Sequence, residues 1–216
     1  RERLARATRQ VAFFVIPSAA AFLFLGDSIV GAIFQTGSFV ERDTHLVWFV
    51  LAGSAVGLLA STVGRLYSST FYSLRDTRTP LKFALVRVFF TTCLGYAGAM
   101  WAPKLFAVEQ IWGTVGLTVT AGLAGWIEFS LLRRSLQRKI GQVQLHFRFQ
   151  MQVWFCALLS AAFGYLCKEK LFIFSYVILK AVAVLGVYGS MFFIIAYLLK
   201  IPEATQTVER LRRYLS

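Results

Sequence analysis

Apolar and polar positions alternate along this chain in long blocks rather than in the short periods of a soluble helix or strand. Six apolar runs stand at about 11–34, 46–70, 83–101, 111–132, 151–167 and 172–199, each near the roughly 20 residues a helix needs to cross a bilayer. The pattern predicts an all-α polytopic membrane protein with six transmembrane helices. The most informative polar interval is FYSLRDTRTP, Phe71 to Pro80. Asp76, Thr77 and Thr79 carry side chains that bond nearby backbone N–H groups, and Pro80 suits the first turn of a new helix. A tight turn at a membrane surface is expected there.

Finer punctuation shapes the runs. Pro17 and the Gly26-Asp27 pair predict a kink in the first helix, and Asp27 is read as a capping or interfacial carboxylate against the alternative of a transport group. GSAVG at Gly53 to Gly57 is a small-xxx-small face that admits a close neighbour, and Gly113, Gly116, Gly122 and Gly125 dot the fourth run in the same way. Trp101 and Trp112 bracket one loop and Trp154 lies near an opposite end, as an interfacial aromatic belt would place them. Residues 135–150 read as a basic, amphipathic connector on the membrane surface, and 200–216 as a polar tail with a short helix at VERLRRYL. His45 and His146, each isolated, are read as interfacial side chains.

Composition agrees with this picture: 57% of the 216 residues are hydrophobic and the mean hydropathy is +0.64. The net charge of +13 sits in short loops rather than on one soluble face, which points to anionic phospholipid and excludes nucleic acid. Loop by loop, Lys and Arg number sixteen on one side against four on the other, so both ends and the Phe71–Pro80 turn are expected to be cytoplasmic. A start at Arg1 predicts that the chain is part of a longer protein. Cys93, Cys156 and Cys167 have no metal-ligand spacing and are read as buried small apolar residues. No cofactor or metal is expected. Nor is an enzyme, because no cluster of carboxylates or histidines stands ready for acid–base or metal chemistry.

Charges inside the runs carry the functional argument. Arg65, Arg87 and Lys180 are embedded cations, and Glu128, at similar depth, is the clearest acidic counterpart, an ion-pair or gating candidate expected to pair with Arg87 and leave Arg65 free for a substrate pyrophosphate. Such charges face a cavity or a partner by default. Lys180 is near enough to an outer end to snorkel. For Arg65 and Arg87 two readings stand. They snorkel to inner headgroups, or, at one depth with Arg75 and Arg78 beyond them, they line a cationic cleft suited to a phosphate or pyrophosphate.

FYSLRDTRTPLKFALV, with IFQTGSF and VIPSAAAFLFLGDSIV upstream, resembles the MviN/MurJ lipid II flippase family of the multidrug/oligosaccharidyl-lipid/polysaccharide exporter superfamily. The resemblance covers the whole chain. It implies that these six helices are the last six of fourteen in a two-lobe transporter. Such a transporter moves the undecaprenyl-pyrophosphate-linked peptidoglycan precursor, lipid II, from the inner to the outer leaflet of the bacterial cytoplasmic membrane. It further implies that 1–134 supply four helices of the C-terminal lobe and 151–199 a two-helix groove for the lipid tail. An N-terminal lobe of the same protein would supply the rest of the cavity. Arg65 stands where relatives often carry Lys or Arg. Thr91 and Gly95 stand where relatives often place Asn or another cation-ligating side chain, so a sodium site is not carried over. Within the superfamily, a polysaccharide-lipid flippase or a cation-coupled drug antiporter is the alternative reading, and a membrane scaffold is the alternative outside it.

Overall fold

A computed structural model describes residues 2–34, 41–107, 109–143, 147–170 and 176–215. Among these residues there is helix and no strand. The helices are α1 (Glu2–Phe24), α2 (Gly26–Phe34), α3 (Glu41–Ser73), α4 (Arg78–Leu105), α5 (Gly113–Ile140), α6 (Phe147–Lys170), α7 (Val177–Leu198) and α8 (Pro202–Leu215). A 3₁₀ turn at Gln110–Trp112 leads into α5. Six of these helices, α1, α3, α4, α5, α6 and α7, are long and apolar enough to cross a membrane, as the block pattern predicts. Gly37, Ser38 and His146 lie outside the described residues.

The chain divides into two compact units, Arg1–Val15 with His45–Leu145, and Ile16–Thr44 with His146–Ser216. In the first, α4 packs along α5, and the core gathers Leu4, Val63, Tyr67, Phe71, Phe129, Leu132 and Leu136. Glycine is required at two crossings. A Cβ on Gly57 would lie 2.5 Å from the Gly122 Cα, and one on Gly116 would lie 2.4 Å from the Gly98 carbonyl oxygen. Backbones meet there because nothing larger fits, which is the use expected of GSAVG and of Gly113, Gly116 and Gly122, whereas Gly125 has nothing within 4 Å of a would-be Cβ. Trp126 Nε1 adds a 2.8 Å hydrogen bond to the Val56 carbonyl.

One local expectation is met and two are corrected. The first helix runs through Pro17 and breaks at Leu25, next to the Gly26-Asp27 pair as expected, where the Ser28 and Ile29 N–H groups both turn to the Leu25 carbonyl, at 3.1 and 3.2 Å. Gly26 then opens α2. The fourth span takes in the start of the basic segment and runs to Ile140, because Leu132, Leu136 and Ile140 hold one face against the core at i, i+4 and i+8. Gly141, at φ 81°, ends it. Of the three cysteines only Cys156 is buried in protein, and Cys93 is exposed on α4. An apolar residue in a spanning helix has lipid as a second place to hide, so hydrophobicity alone does not separate core from lipid face.

In the second unit, α6 packs on α7 and α2 on α7. Leu25, Ala161, Val184 and Tyr188 form the core, and the Tyr188 hydroxyl donates to the Pro17 carbonyl at 2.7 Å. Both α3 and α7 end in the same way. In α3, Arg75 takes a left-handed φ of 57°, its N–H meets the Tyr72 carbonyl, and the Asp76 N–H meets that of Phe71. In α7, Lys200 (φ 52°) and Ile201 repeat the pattern with Tyr197 and Ala196. This double closure lets a non-glycine residue hold a conformation that ordinarily favours glycine.

Candidate functional site: a cationic turn and the charges above it

The Arg75 closure turns the chain so that Asp76 sits at the mouth of α4. Its carboxylate accepts the Thr79 N–H at 3.0 Å and the Thr79 hydroxyl at 2.6 Å. Pro80 follows in the first turn, where its missing N–H leaves no helical bond unmade. Asp76 also receives Lys139 Nζ, from the last turn of α5, in a close ion pair. The same ammonium stands 5.6 Å from the centre of the buried Phe71 ring. The Lys139 hydrogen bond first, and then those from Thr79, hold the Asp76 carboxyl well below the usual carboxylate range.

That geometry decides what the neighbouring arginines face. Asp76 is the only acid in the turn and it is committed to Lys139 and Thr79. Arg75 and Arg78 are therefore exposed, and neither has an ion pair among the described residues. Higher up, Arg87 Nη1 donates to Glu128 Oε2 at 3.1 Å, joining α4 to α5. Glu128 is the more enclosed partner, its side chain 15% exposed against 40% for Arg87. Arg65 is exposed on α3 and makes no ion pair or hydrogen bond among the described residues. Arg65 lies eight residues before Ser73 and Arg87 nine after Arg78, which places them roughly 12 and 13 Å of helix from the turn. They share a level but not a role, since one cation is compensated and the other is not.

Elsewhere, Asp27 at the start of α2 accepts the Ser28 N–H at 2.7 Å and forms a close ion pair with Lys168 of α6, a partner the sequence did not name. Lys180 is half-buried on α7, and His45 is exposed, 6.1 Å from the Trp48 ring. Gly186 and Gly189 on α7 have nothing within 4 Å of a would-be Cβ; among the exposed apolar side chains are Phe155, Leu159 and Phe163 on α6 and Val182 and Ile194 on α7. Lys139 and Lys168 are the two residues that sequence reasoning missed. Their only signal was position, each in the last turns of a helix whose neighbour opens with an aspartate.

The family model described as "Lipid II flippase MurJ" matches residues 1–197. The chain is 26% identical over 197 residues to the probable lipid II flippase MurJ of Rickettsia prowazekii, covering 86% of this chain and 36% of that protein. With the corresponding protein of Vibrio cholerae it is 26% identical over 154 residues, 71% of this chain and 27% of the relative. A solved structure described as "Lipid II flippase MurJ, inward closed conformation" shares the fold, with a TM-score of 0.68 at 20% identity over 91% of this chain and 39% of that one. The chain thus spans little more than a third of these relatives at most. With six spanning helices, the FYSLRDTRTP turn and a family match over nearly its full length, the chain belongs to the lipid II flippase MurJ family.

Proposed function

We propose that these six helices are the last six of a fourteen-helix flippase. It moves lipid II from the inner to the outer leaflet of the bacterial cytoplasmic membrane by alternating access, without chemistry on the substrate. The observation that carries the reading is the family match over residues 1–197; the charge pattern gives it a mechanism. Both ends and the Phe71–Pro80 turn face the cytoplasm, as the loop cations favour. Arg75 and Arg78, left uncompensated because Asp76 is held by Lys139 and Thr79, draw a polyanionic headgroup to the inner mouth. Arg65, without a carboxylate of its own, takes the pyrophosphate through paired guanidinium donors. Arg87 contributes to the positive field there while Glu128 fixes its position. The open apolar surface of α6 and α7, Gly186 and Gly189 included, keeps the polyprenyl tail in a lipid-like setting while the headgroup crosses. The N-terminal lobe of the same protein supplies the facing wall, and rocking of the lobes changes the side to which the cavity opens.

The test is reconstitution of the full-length protein in vesicles with fluorescent lipid II, reading flipping by the leaflet-dependent quenching of the label. Arg65→Ala is expected to lower flipping at least tenfold with normal insertion. Normal flipping by Arg65→Ala removes Arg65 from the site. Equal transport of unrelated polyprenyl-linked sugars replaces lipid II specificity with the polysaccharide-lipid alternative.

A further inference from the structure

Among the described residues of the first unit, the Tyr67 hydroxyl and Arg133 Nε are among the buried side-chain polar atoms that have no hydrogen-bond partner. Tyr67 is 0% exposed, set edge to face against Phe129 at 5.5 Å, yet its hydroxyl has no hydrogen-bond partner among the described residues. On α5, the buried Nε of Arg133 likewise has none. Arg133 directly follows Leu132, which shares one core cluster with Tyr67 and Phe129, so this stretch of α5 packs against the part of α3 that carries Tyr67. Buried donors almost always find an acceptor, and a charged donor left without one is the costlier case. Carboxylates that could serve in this unit are engaged elsewhere, Asp76 with Lys139 and Glu128 with Arg87. Tyr67 lies six residues before the end of α3 and Arg133 seven before the end of α5. Both are thus about 10 Å of helix from the end that carries the Arg75 turn, with Arg134 and Arg138 exposed beyond them on α5.

We propose that Arg133 and Tyr67 form a binding site for the phosphate group of an anionic lipid. The guanidinium N–H and the phenolic O–H are its donors, and Arg134 and Arg138 form its electrostatic approach. Both atoms donate, one carries charge, and the site lies near headgroup depth, so the missing acceptor is an anionic oxygen. This site is separate from Arg65. Residues 65 and 67 point roughly 200° apart around α3, one exposed and the other buried. The inference therefore stands whether or not Arg65 handles the transported pyrophosphate.

The test uses the purified full-length protein in detergent, with bound lipid counted by native mass spectrometry and thermal midpoints read in parallel. Phosphatidylglycerol, phosphatidylcholine, undecaprenyl pyrophosphate and inorganic phosphate are the probes. Phosphatidylglycerol is expected to bind and raise the midpoint. Arg133→Gln should weaken it at least fivefold, Tyr67→Phe two- to threefold, and Arg133→Lys should restore most of the loss. In anion-free protein Tyr67→Phe should melt no lower than wild type, because it deletes an unsatisfied hydroxyl, whereas with lipid it should gain less. A response confined to undecaprenyl pyrophosphate assigns the site to the polyprenyl lipid, and one to inorganic phosphate alone assigns it to the free ion and overturns the lipid. Equal lipid binding by wild type and Arg133→Gln overturns the site. So does a Tyr67→Phe protein that melts lower without any anion, since its hydroxyl was then already satisfied; this arm decides the matter even if Arg133→Gln fails to fold.

Discussion

Removing Arg87 should damage folding more than removing its partner's charge, and the structure says by how much. The pair closes at 3.1 Å with Glu128 15% and Arg87 40% exposed. Exposed pairs contribute about 0–1 kcal/mol, while stranding one member of a fully buried pair costs about 3–5 kcal/mol. With the carboxylate enclosed and the guanidinium partly hydrated, Arg87→Ala should cost about 2 kcal/mol, chiefly because Glu128 is left unpaired. Glu128→Gln should cost only about 1 kcal/mol, because Arg87 can swing its head toward water or headgroups. The double variant should also lose about 1 kcal/mol rather than the sum of about 3. Thermal unfolding and membrane abundance of wild type, both singles and the double complete the cycle. Additive losses to within about 0.5 kcal/mol would refute the coupling, and a larger loss for Glu128→Gln than for Arg87→Ala would refute the assignment of Glu128 as the member stranded at greater cost.

Gly57→Ala places a methyl 2.5 Å from the Gly122 Cα and should cost about 1–3 kcal/mol by thermal unfolding, whereas Gly186→Ala, which meets nothing, should leave the midpoint unchanged. Asp76 has a depressed pKa when folded, so its contribution is complete above the unfolded value of about 3.9 and is lost only as pH falls through the lower folded value. The gap in melting temperature between wild type and Asp76→Asn should accordingly stay level from about pH 8 to 5 and close below about pH 4; a gap that closes by about pH 6 would contradict the Lys139 tie. In a background without the exposed Cys93, an impermeant thiol reagent added to intact cells should label a Lys104→Cys protein and spare Ser73→Cys, and the reverse would invert the topology.

The helices were legible because a bilayer imposes one length and one composition on every span, and the turn at Asp76 because its chemistry is local. Each feature that was misread depends on something not local. The basic residues after Arg133 signal a surface element, yet Leu132, Leu136 and Ile140 continue the core face and carry α5 beneath them. Cys93 and Cys156 are chemically alike, and only packing tells which one faces protein.

Partner choice is only partly legible in the sequence: helix depth leads from Glu128 to Arg87, as found, but nothing local leads from Asp27 to Lys168 or from Asp76 to Lys139, and the excess of base over acid makes those choices consequential. With ten acids among twenty-three Lys and Arg, an acid in or near a span could pair with several cations. Asp27, Asp76 and Glu128 instead each take one base from a different helix, Lys168, Lys139 and Arg87. In a low-dielectric setting the choice fixes two things at once, because it locks a helix pair and determines which cations remain uncompensated. Had Asp76 turned to its neighbours Arg75 or Arg78, the turn would have been self-neutralised and α5 untied. By reaching across to Lys139 it secures the end of α5 and leaves the turn positive. Glu128 acts in the same way higher up, holding Arg87 while Arg65 at the same level keeps its donors open. The few acids thus act as selectors, spending negative charge on helix contacts so that positive charge persists where an anionic lipid headgroup would meet it.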